Sequence, residues 1–285
     1  MNDTLPSVCV IGLGLMGRPM ARVLRDAGFT LSGWNRSPVS DDIREWLPVA
    51  AGLEAAAQAD VALLMLADSD AVDAVLARLE PHLPRGRVVL DMGSSDPRRS
   101  RSHARRLAAR GVGWVDAPVS GGPEGAESGT LAVMAGGREE DFRRVQPVLE
   151  ALGANVTRVG GPGAGHTAKV INQLIVGLAI EAVAEAIALA EGCGLDPRLL
   201  QQALSGGFAD SKVLQIHGRR MIDRDYRPGG KVNTQLKDLA LARSLADECG
   251  LSLPHLDSTL ARYQALVETG AGDLDHSALA RLFQD

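Results

Sequence analysis

Short apolar runs alternate with amphipathic segments over the first half of the chain. The runs end at glycine or polar positions, a pattern that predicts buried parallel strands, and the segments between them predict helices. The predicted strands are Val8–Ile11, Phe29–Trp34, Val61–Leu66, Arg87–Asp91, Gly113–Asp116 and Leu131–Ala135. The predicted helices are Leu15–Ala27, Ala71–Glu80, Pro97–Arg110 and Glu139–Leu152. This alternation predicts an α/β Rossmann domain with a doubly wound, mostly parallel sheet.

The pattern changes at the segment Gly160–Gly165, which is rich in Gly, Pro and Ala. Beyond it no strand is predicted, and His166–Glu191 reads as one long helix that is apolar on most sides. Glu181 and Glu185 lie within this helix, so a buried helix is favoured over a membrane span. Roughly four or five shorter helices follow, separated by breaks that contain Gly or Pro. We predict a Rossmann domain over 1–162 and an all-α C-terminal domain over 163–285, joined by the long helix.

Composition narrows the class of protein. Of the 285 residues, 45% are hydrophobic and 23% are charged, which is typical of a globular protein with a substantial core. The formal net charge of −5 argues against a dedicated nucleic-acid binder, whose affinity comes from neutralising phosphates. The three cysteines and the six histidines lack the spacing of a metal site, so no metal is expected. Scattered cysteines, and a start at Met1–Ser7 without the pattern of a signal peptide, predict a cytoplasmic protein.

A glycine-rich loop follows the first predicted strand and opens the first predicted helix. In a dinucleotide-binding loop, the first glycine permits a tight turn and the second lets the backbone approach the pyrophosphate. The third glycine allows close packing of helix and strand, and the helix N-terminus attracts the phosphates. A glycine-rich turn that binds nothing is the alternative, and the strand–loop–helix context favours the cofactor. The loop residues are Gly12, Leu13, Gly14, Leu15, Met16 and Gly17.

The residues after the second strand bear on the choice of cofactor. Enzymes that use NAD usually carry Asp or Glu there to bind the ribose diol. This chain has Asn35, Arg36 and Ser37 instead. Asn35 carries no charge to repel a 2′-phosphate, and the guanidinium of Arg36 can pair with one. We therefore predict a preference for NADP(H), with NAD(H) as the second cofactor; a solvated surface role for Arg36 is the alternative.

Several further motifs, taken in order along the chain, resemble one enzyme family. They are GLGLMGRPMA at 12–21, DAPVSGG at 116–122, GTL at 129–131, GAGHTAKVINQ at 163–173 and KDL at 237–239. Together they are similar to the β-hydroxyacid dehydrogenases, the family of 3-hydroxyisobutyrate dehydrogenase and tartronate semialdehyde reductase. The Asn172–Gln173 pair and the segment DHSAL at 275–279 are most similar to the tartronate semialdehyde reductases.

The resemblance implies reversible oxidation of a short 3-hydroxy acid to its aldehyde acid, without a metal. It also implies homodimers or homotetramers formed through the helical domain. The substrate pair that the resemblance favours is tartronate semialdehyde, which is reduced, and D-glycerate, which is its product. The alternatives are a 3-hydroxyisobutyrate or 4-hydroxybutyrate (succinic semialdehyde) dehydrogenase, an imine reductase, and a non-catalytic dinucleotide-binding module. Imine reductases typically lack a lysine at position 169, so Lys169 counts against that class.

Lys169 follows the glycine-rich linker at the start of an otherwise apolar helix. By itself such a lysine also suits a snorkelling surface residue, but the resemblance assigns it the role of general acid and base. Asn172 and Gln173 lie three and four residues further on, on the same helical face. Their amides suit hydrogen bonds to the substrate or to Lys169, or a bridge between the two domains.

The remaining candidates follow strands or lie in the second domain. In Ser120, Gly121 and Gly122, successive N–H groups and a hydroxyl suit a substrate carboxylate, and a simple flexible turn is the alternative. Ser94 occupies the family's position near the nicotinamide ribose, whereas the family usually has Ser or Thr where this chain has Gly93. Met65 and Leu66 are expected to line the cofactor groove or to be ordinary core residues.

By resemblance, Lys237 reaches the cofactor or the substrate and Asp238 helps to fix it; an exposed ion pair is the alternative. Relatives commonly have Phe and Leu seven and three residues before this lysine, where this chain has Gly230 and Thr234. The loss of a ring and an isobutyl group predicts a roomier and more polar pocket.

Overall fold

The computed structural model describes residues 5–284, so part of the Met1–Ser7 segment lies outside the described residues. The chain divides into two compact units, and the division falls after Lys169, inside one long helix. The predicted boundary near residue 162 lies just before that helix.

The first unit holds one eight-stranded sheet. Its strand order is β2-β1-β3-β4-β5-β7-β6, with β8 paired to β7. The pairs from β2 through β5 are parallel, as is β7 with β8, whereas β7 runs antiparallel to β5 and β6. The strands are β1 (Val8–Ile11), β2 (Leu31–Trp34), β3 (Val61–Leu64), β4 (Val88–Asp91), β5 (Gly113–Asp116), β6 (Val119–Ser120), β7 (Leu131–Gly137) and β8 (Gly153–Gly160).

Helices cover both faces of this sheet, which confirms the predicted doubly wound Rossmann fold. Alternate residues of the strands enter two separate cores: Val8 and Val10 pack with α1, α6 and α7, and Cys9 and Ile11 pack with α3, α4 and α5. The helices up to the long one are α1 (Gly17–Asp26), α2 (Asp41–Arg44), α3 (Leu53–Ala56), α4 (Ser69–Leu79), α5 (Pro97–Ala108), α6 (Gly122–Ser128), α7 (Glu139–Leu152) and α8 (Ala164–Gly192).

The regular secondary structure in the described residues of the second unit is helical, apart from an isolated bridge between Lys231 and Asp275. Short 3₁₀ turns span Glu80–His82 in the first unit and His276–Ala280 in the second. Turns of π-helix span Val213–Gly218 and Val267–Ala271. The remaining helices are α9 (Pro197–Leu204), α10 (Arg219–Asp223), α11 (Val232–Glu248), α12 (Pro254–Leu266) and α13 (Arg281–Gln284).

The helix α8 is long and apolar enough to cross a membrane, judged by length and composition only. Inside the second unit it carries Glu181, a residue that is 8% exposed. Glu181 accepts a hydrogen bond from Thr259 and pairs with Arg262 at 2.5 Å. A carboxylate that is satisfied by α12 in this way marks α8 as a core helix of the second unit.

Two strands and two short helices were not predicted. The side chains of β8 are mostly exposed, so its sequence GANVTRVG shows no apolar run. The strand β6 has two residues, too few for a periodic pattern. The short helices α3 and α6 were also missed, and the second strand begins at Leu31 rather than at Phe29.

Candidate active site

The glycine loop has the geometry that a dinucleotide requires. Gly12 has φ +103°, and a Cβ atom there would lie 2.3 Å from the carbonyl oxygen of Met65. A Cβ atom on Gly17 would lie 1.9 Å from the carbonyl oxygen of Gly12, so this glycine permits the close approach of α1 to the loop. At Gly14 no atom lies within 4 Å of that position, which leaves open space beside the backbone. The loop therefore fits a pyrophosphate at the N-terminus of α1.

The other loop residues divide between core and surface. Leu13 is buried, Leu15 is exposed and Met16 is partly buried at the N-cap of α1. Arg18 donates a hydrogen bond from Nε to the carbonyl oxygen of Leu13 at 2.9 Å. Leu13 therefore anchors the turn, and Leu15 projects its side chain from the same turn into solvent.

Asn35 ties the end of β2 to the glycine loop. Its Oδ1 accepts a hydrogen bond from the backbone N–H of Leu13 at 3.1 Å, and its Nδ2 donates to the carbonyl oxygen of Ser37 at 3.0 Å. Arg36 and Ser37 are exposed beside it. Asn35 therefore positions the loop, while the Arg36 side chain remains accessible to a ligand at the end of β2.

The ends of β3 and β4 adjoin this loop. Met65 donates its backbone N–H to the carbonyl oxygen of Ile11 at 2.9 Å, and both Met65 and Leu66 are partly buried. A Cβ atom on Gly93 would lie 2.8 Å from the carbonyl oxygen of Leu66. This close approach explains why the loop that carries the partly buried Ser94 has glycine at position 93.

A buried cluster of polar side chains links the segments that lead to three candidate residues of the first unit, Ser94, Ser120 and Lys169. Asp91, Asp116 and His166 are all inaccessible to solvent. The imidazole of His166 lies between the two carboxylates, with Nε2 3.6 Å from Asp91 Oδ2 and Nδ1 3.9 Å from Asp116 Oδ2. Its Nδ1 is also 3.1 Å from the hydroxyl of Ser100, which accepts a hydrogen bond from Trp114 Nε1.

Asp116 caps the start of α8 from the end of β5. Its two oxygens accept the backbone N–H groups of Gly163 at 2.7 Å and His166 at 2.9 Å. Burial raises the pKa of Asp116, while the charge of His166 and these N–H donors oppose that rise. Asp91 accepts hydrogen bonds from the N–H of Gly93 and the hydroxyl of Ser95. The cluster thus fixes the segments that lead to Ser94, Ser120 and Lys169.

Lys169 lies in the second turn of α8 and is partly buried. Asn172 and Gln173 follow it by three and four residues in the same helix, and both are partly buried. The helical spacing puts the three side chains on one face of α8, as predicted. This face presents one ammonium and two amides.

The turn from β6 to α6 brings a serine, the last residue of β6, next to two glycines in unusual conformations. Gly121 has φ +137° and Gly122 has φ +64°, values that residues with a side chain rarely adopt. Ser120 is partly buried, and both glycines are exposed. Successive glycine N–H groups next to a serine hydroxyl in an exposed turn suit an anion.

In the second unit a hydrogen-bonded chain joins the predicted amides to α11. Asn172 Nδ2 donates to Gln173 Oε1 at 2.9 Å, and Gln173 Nε2 donates to Asp238 Oδ2 at 3.0 Å and to Gln235 Oε1 at 3.2 Å. The ammonium of Lys237 lies 3.4 Å from Asp238 Oδ1. The predicted Lys237–Asp238 pair is therefore part of the network that orients Gln173.

The side chain of His276 lies beside Gly230. A Cβ atom on Gly230 would lie 3.3 Å from Cε1 of His276. The imidazole of His276 therefore adjoins the position where relatives commonly carry a phenylalanine, and the roomier pocket stays a prediction. Thr234 is exposed on α11, in line with a more polar surface.

Sequence reasoning missed the buried polar residues of each unit, Asp91, Asp116 and His166 in the first and Gln235 in the second. A charged residue at the end of an otherwise apolar strand, as in β4 and β5, was the available signal for the two aspartates. The partners of Asp116 lie 47 and 50 residues further along the chain, a separation that no local pattern encodes. Gln235 is 1% exposed and bonded to Gln173, which lies 62 residues earlier.

Two family models match the chain and together cover almost all of it. The NAD-binding domain of 6-phosphogluconate dehydrogenase matches residues 7–161. The NAD-binding model of NADP-dependent 3-hydroxyisobutyrate dehydrogenase matches residues 163–283.

Individual proteins are also similar to this chain over almost its whole length. The 2-hydroxy-3-oxopropionate reductase of Escherichia coli K12 is 41% identical over 280 residues, which are 96% of each chain. The structure of Mycobacterium tuberculosis 3-hydroxyisobutyrate dehydrogenase with L-serine has a TM-score of 0.89 at 28% identity, covering 99% of this chain and 100% of that one. Psf3 in complex with NADP⁺ and 2-OPP has a TM-score of 0.88 at 26% identity, covering 96% of this chain and 99% of the other.

Proposed function

We propose that this chain, which belongs to the 3-hydroxyisobutyrate dehydrogenase-like β-hydroxyacid dehydrogenase family, is a cytoplasmic NADPH-dependent reductase of tartronate semialdehyde that also oxidises D-glycerate. The capping of α8 by Asp116 carries this proposal, because it ties the helix that bears Lys169 to the carboxyl-terminal edge of the parallel strands, the edge at which the glycine loop also lies. The 41% identity to 2-hydroxy-3-oxopropionate reductase, another name for tartronate semialdehyde reductase, supports the choice of substrate.

Lys169 is the proposed general acid and base. The nicotinamide, when bound, supplies the hydride that reduces the aldehyde carbon. Negative charge then develops on the carbonyl oxygen, and the Lys169 ammonium donates a proton to it. In the oxidation of the alcohol, the neutral amine accepts the proton from the hydroxyl group, and the oxidised nicotinamide, when bound, would take up the hydride from the carbon. No metal is required for either direction.

Three groups of residues are proposed to bind the substrate. The hydroxyl of Ser120 and the N–H groups of Gly121 and Gly122 bind the carboxylate, since their geometry suits an anion. Asn172 and Gln173 hydrogen-bond the polar groups near the reacting carbon, and Gln173 is held in orientation by Asp238 and Gln235. Lys237 adds a positive charge on α11.

The cofactor is proposed to be NADP(H), with weaker use of NAD(H). The loop residues 12–17 hold the pyrophosphate, Met65 and Leu66 line the groove and Ser94 lies near the nicotinamide ribose. Arg36 and Ser37 are exposed where β2 ends, and the Arg36 guanidinium is available for a charge-assisted hydrogen bond to a 2′-phosphate.

A homo-oligomer formed through the helical unit is also proposed. Large apolar side chains are exposed along α8 and on the segments that follow it, and such surfaces mark interfaces between subunits. Light scattering coupled to size-exclusion chromatography tests this: a monomer at micromolar concentration would contradict it. The exposed side chains are Ile171, Ile175, Leu189, Leu195, Leu199 and Phe208.

A substrate panel tests the proposed function. NADPH oxidation is measured with tartronate semialdehyde, glyoxylate and succinic semialdehyde. NADP⁺ reduction is measured with D-glycerate, 3-hydroxyisobutyrate, 3-hydroxypropionate, serine, threonate and 4-hydroxybutyrate. We expect the highest kcat/KM with tartronate semialdehyde. A higher value with another acid would replace the substrate and keep the reaction class, whereas inactivity with every compound would reject both.

A further inference from the structure

The arginines of α5 differ in whether an acid balances their charge. Arg99 and Arg106 form ion pairs at 2.8 Å and 2.6 Å with carboxylates on α4 or just after it. Arg101 and Arg105 are exposed, and their side chains have no ion pair or hydrogen bond within residues 5–284. They are one helical turn apart, and like charges at that spacing repel each other. This pair of guanidinium groups therefore attracts an anion.

A cavity of about 390 Å³ lies between α5, β5 and the linker to α8, and Arg101 and Arg105 contribute to its lining. Most of the other lining residues are apolar. The indole of Trp114 has a fixed orientation there, because its Nε1 donates to the hydroxyl of Ser100 at 2.9 Å. Ligand pockets in proteins span roughly 300–1,000 Å³, so this cavity admits a compound with one or two rings. The apolar lining residues are Ala104, Ala108, Val112, Trp114 and Pro162.

The lining also contains one carboxylate, and Arg138 offsets its charge. Arg138 donates a hydrogen bond from Nε to Oδ2 of the buried Asp141 at 2.9 Å. Its Nη1 lies 3.1 Å from the exposed Glu140, which is not part of the lining. Arg101 and Arg105 therefore leave a surplus of positive charge beside an apolar wall.

We propose that this cavity binds a small organic anion that joins a carboxylate to a flat apolar body, as in an aromatic acid. Guanidinium groups bind carboxylates through paired, charge-assisted hydrogen bonds, so Arg101 and Arg105 hold the carboxylate. The rings pack on the apolar lining, which removes their surface from water. A short hydroxy acid would leave that lining uncovered, so this ligand differs in class from the proposed substrate.

The site adjoins the linker that leads into the helix of Lys169. Pro162 lines the cavity, and a Cβ atom on Gly163 would lie 2.8 Å from Cγ of Arg101. Gly163 in turn donates its backbone N–H to Asp116. A bound anion would therefore join α5 to the start of α8. Because it binds the folded chain, it should also raise the Tm.

The test uses the full-length protein with saturating NADP⁺, which occupies the cofactor site, and 2-naphthoate as the probe. Calorimetric titration should give one 2-naphthoate per chain, and thermal melts should give a higher Tm. The double variant Arg101→Gln/Arg105→Gln should bind 2-naphthoate about tenfold more weakly or worse, because it loses charge-assisted hydrogen bonds. Arg106→Gln changes an arginine of the same helix that lies outside the cavity and should bind as the parent does.

A neutral probe and a second variant test the two parts of the ligand separately. 2-Naphthalenemethanol has the same rings without the charge, so the parent should bind it about tenfold more weakly or worse. Ala108→Phe, at the exposed last residue of α5, would fill part of the cavity and should weaken 2-naphthoate binding without a change of charge. Ala109→Phe, at the exposed neighbouring position outside the lining, is the matched control.

Circular dichroism and a cooperative thermal transition establish that each variant is folded. If the double variant does not fold, Arg105→Gln alone decides. No binding of 2-naphthoate to the parent at millimolar concentration would overturn the proposal. So would equal affinities of the parent and a folded arginine variant, or equal affinities of the parent for the charged and the neutral probe. None of these readouts depends on which hydroxy acid is the substrate.

Discussion

Asp116, the last residue of β5, accepts the backbone N–H of His166 in the first turn of α8 at 2.9 Å, and both side chains are fully buried. A helix N-terminus has unpaired N–H groups and a partial positive charge, so a carboxylate there satisfies both. Here the cap comes from a strand 50 residues earlier rather than from the helix's own leading residue. Lys169 is three residues beyond His166, so its position depends on this cap.

Replacing Asp116 by Asn should therefore weaken both stability and turnover. The amide would face two N–H donors with only one oxygen, and a buried unsatisfied donor costs about 1–3 kcal/mol. We expect a Tm lower by several degrees and a reduced kcat. The matched control is Asp196→Asn, at the exposed cap of α9, where Asn serves as well as Asp. Equal effects of the two changes would contradict the buried capping role.

Lys169→Ala should remove the general acid and base. Loss of such a group typically lowers kcat by about 10²–10⁴-fold, while NADPH affinity, measured by fluorescence titration, should persist. Lys212→Ala, which removes an exposed lysine, serves as the control and should leave turnover intact. Undiminished kcat in Lys169→Ala would remove this residue from the proposed mechanism.

Replacing Gly17 or Gly14 of the cofactor loop by alanine should have different effects, the first on the stability of the fold and the second on NADPH affinity. At Gly17 the new methyl group would lie 1.9 Å from the carbonyl oxygen of Gly12, so Gly17→Ala should destabilise the fold by about 1–3 kcal/mol or more. At Gly14 no protein atom is within 4 Å, so Gly14→Ala should keep its Tm but lose NADPH affinity by about tenfold or more. Thermal melts and NADPH titrations of both variants check this. Unimpaired NADPH binding by Gly14→Ala would place the pyrophosphate elsewhere.

Arg36→Ser should shift the cofactor preference. A charge-assisted hydrogen bond contributes about 1.5–3 kcal/mol, so kcat/KM with NADPH should fall about 10–100-fold and that with NADH should change little. Arg106→Ser, at an exposed arginine of α5, is the control. A parent enzyme that already prefers NADH, or equal losses with both cofactors, would reject this role for Arg36.

We expect the hydrogen bonds between Ser7 and Asp60 to contribute to folding stability in a pH-dependent way. Hydrogen bonds from the Ser7 hydroxyl and backbone N–H, aided by Arg87, hold the pKa of Asp60 below its usual value. Because the folded-state pKa is lowered, the stabilisation is present above the ordinary aspartate pKa and is lost as the pH falls through the folded value. Ser7→Ala should therefore cost about 1 kcal/mol at pH 7 and less at pH 3, measured by urea unfolding. Exposed Ser102→Ala should show no such pH dependence.

The features predicted well from sequence are those encoded locally. The glycine loop is one, because Gly12 and Gly17 meet atoms of the same strand–turn–helix unit or of the neighbouring strand end. The helix α7 is another: its predicted bounds, Glu139–Leu152, are those of the structure. Lys169, Asn172 and Gln173 share a face of α8 because helical spacing alone decides it.

The features that escaped prediction depend on distant partners or on exposure. The strand β8 extends the sheet beside β7 with mostly exposed side chains, so no apolar alternation marks it. The polar network from Gln173 to His217 joins segments of α8, α11 and two turns, none of which has a local pattern that implies the others. The contact between Gly230 and the ring of His276 is another such feature, because the two residues lie far apart in sequence.

The boundary inside α8 has a practical result for anyone who wishes to study the halves of the chain separately. In a fragment that ends at residue 162, the buried carboxylate of Asp116 would lack both of its hydrogen-bond donors, the backbone N–H groups of Gly163 and His166. The complementary fragment would begin with an uncapped helical end. Dividing the chain at residue 162 would therefore destabilise both fragments. A nucleotide-binding fragment should extend through the second turn of α8, past Lys169.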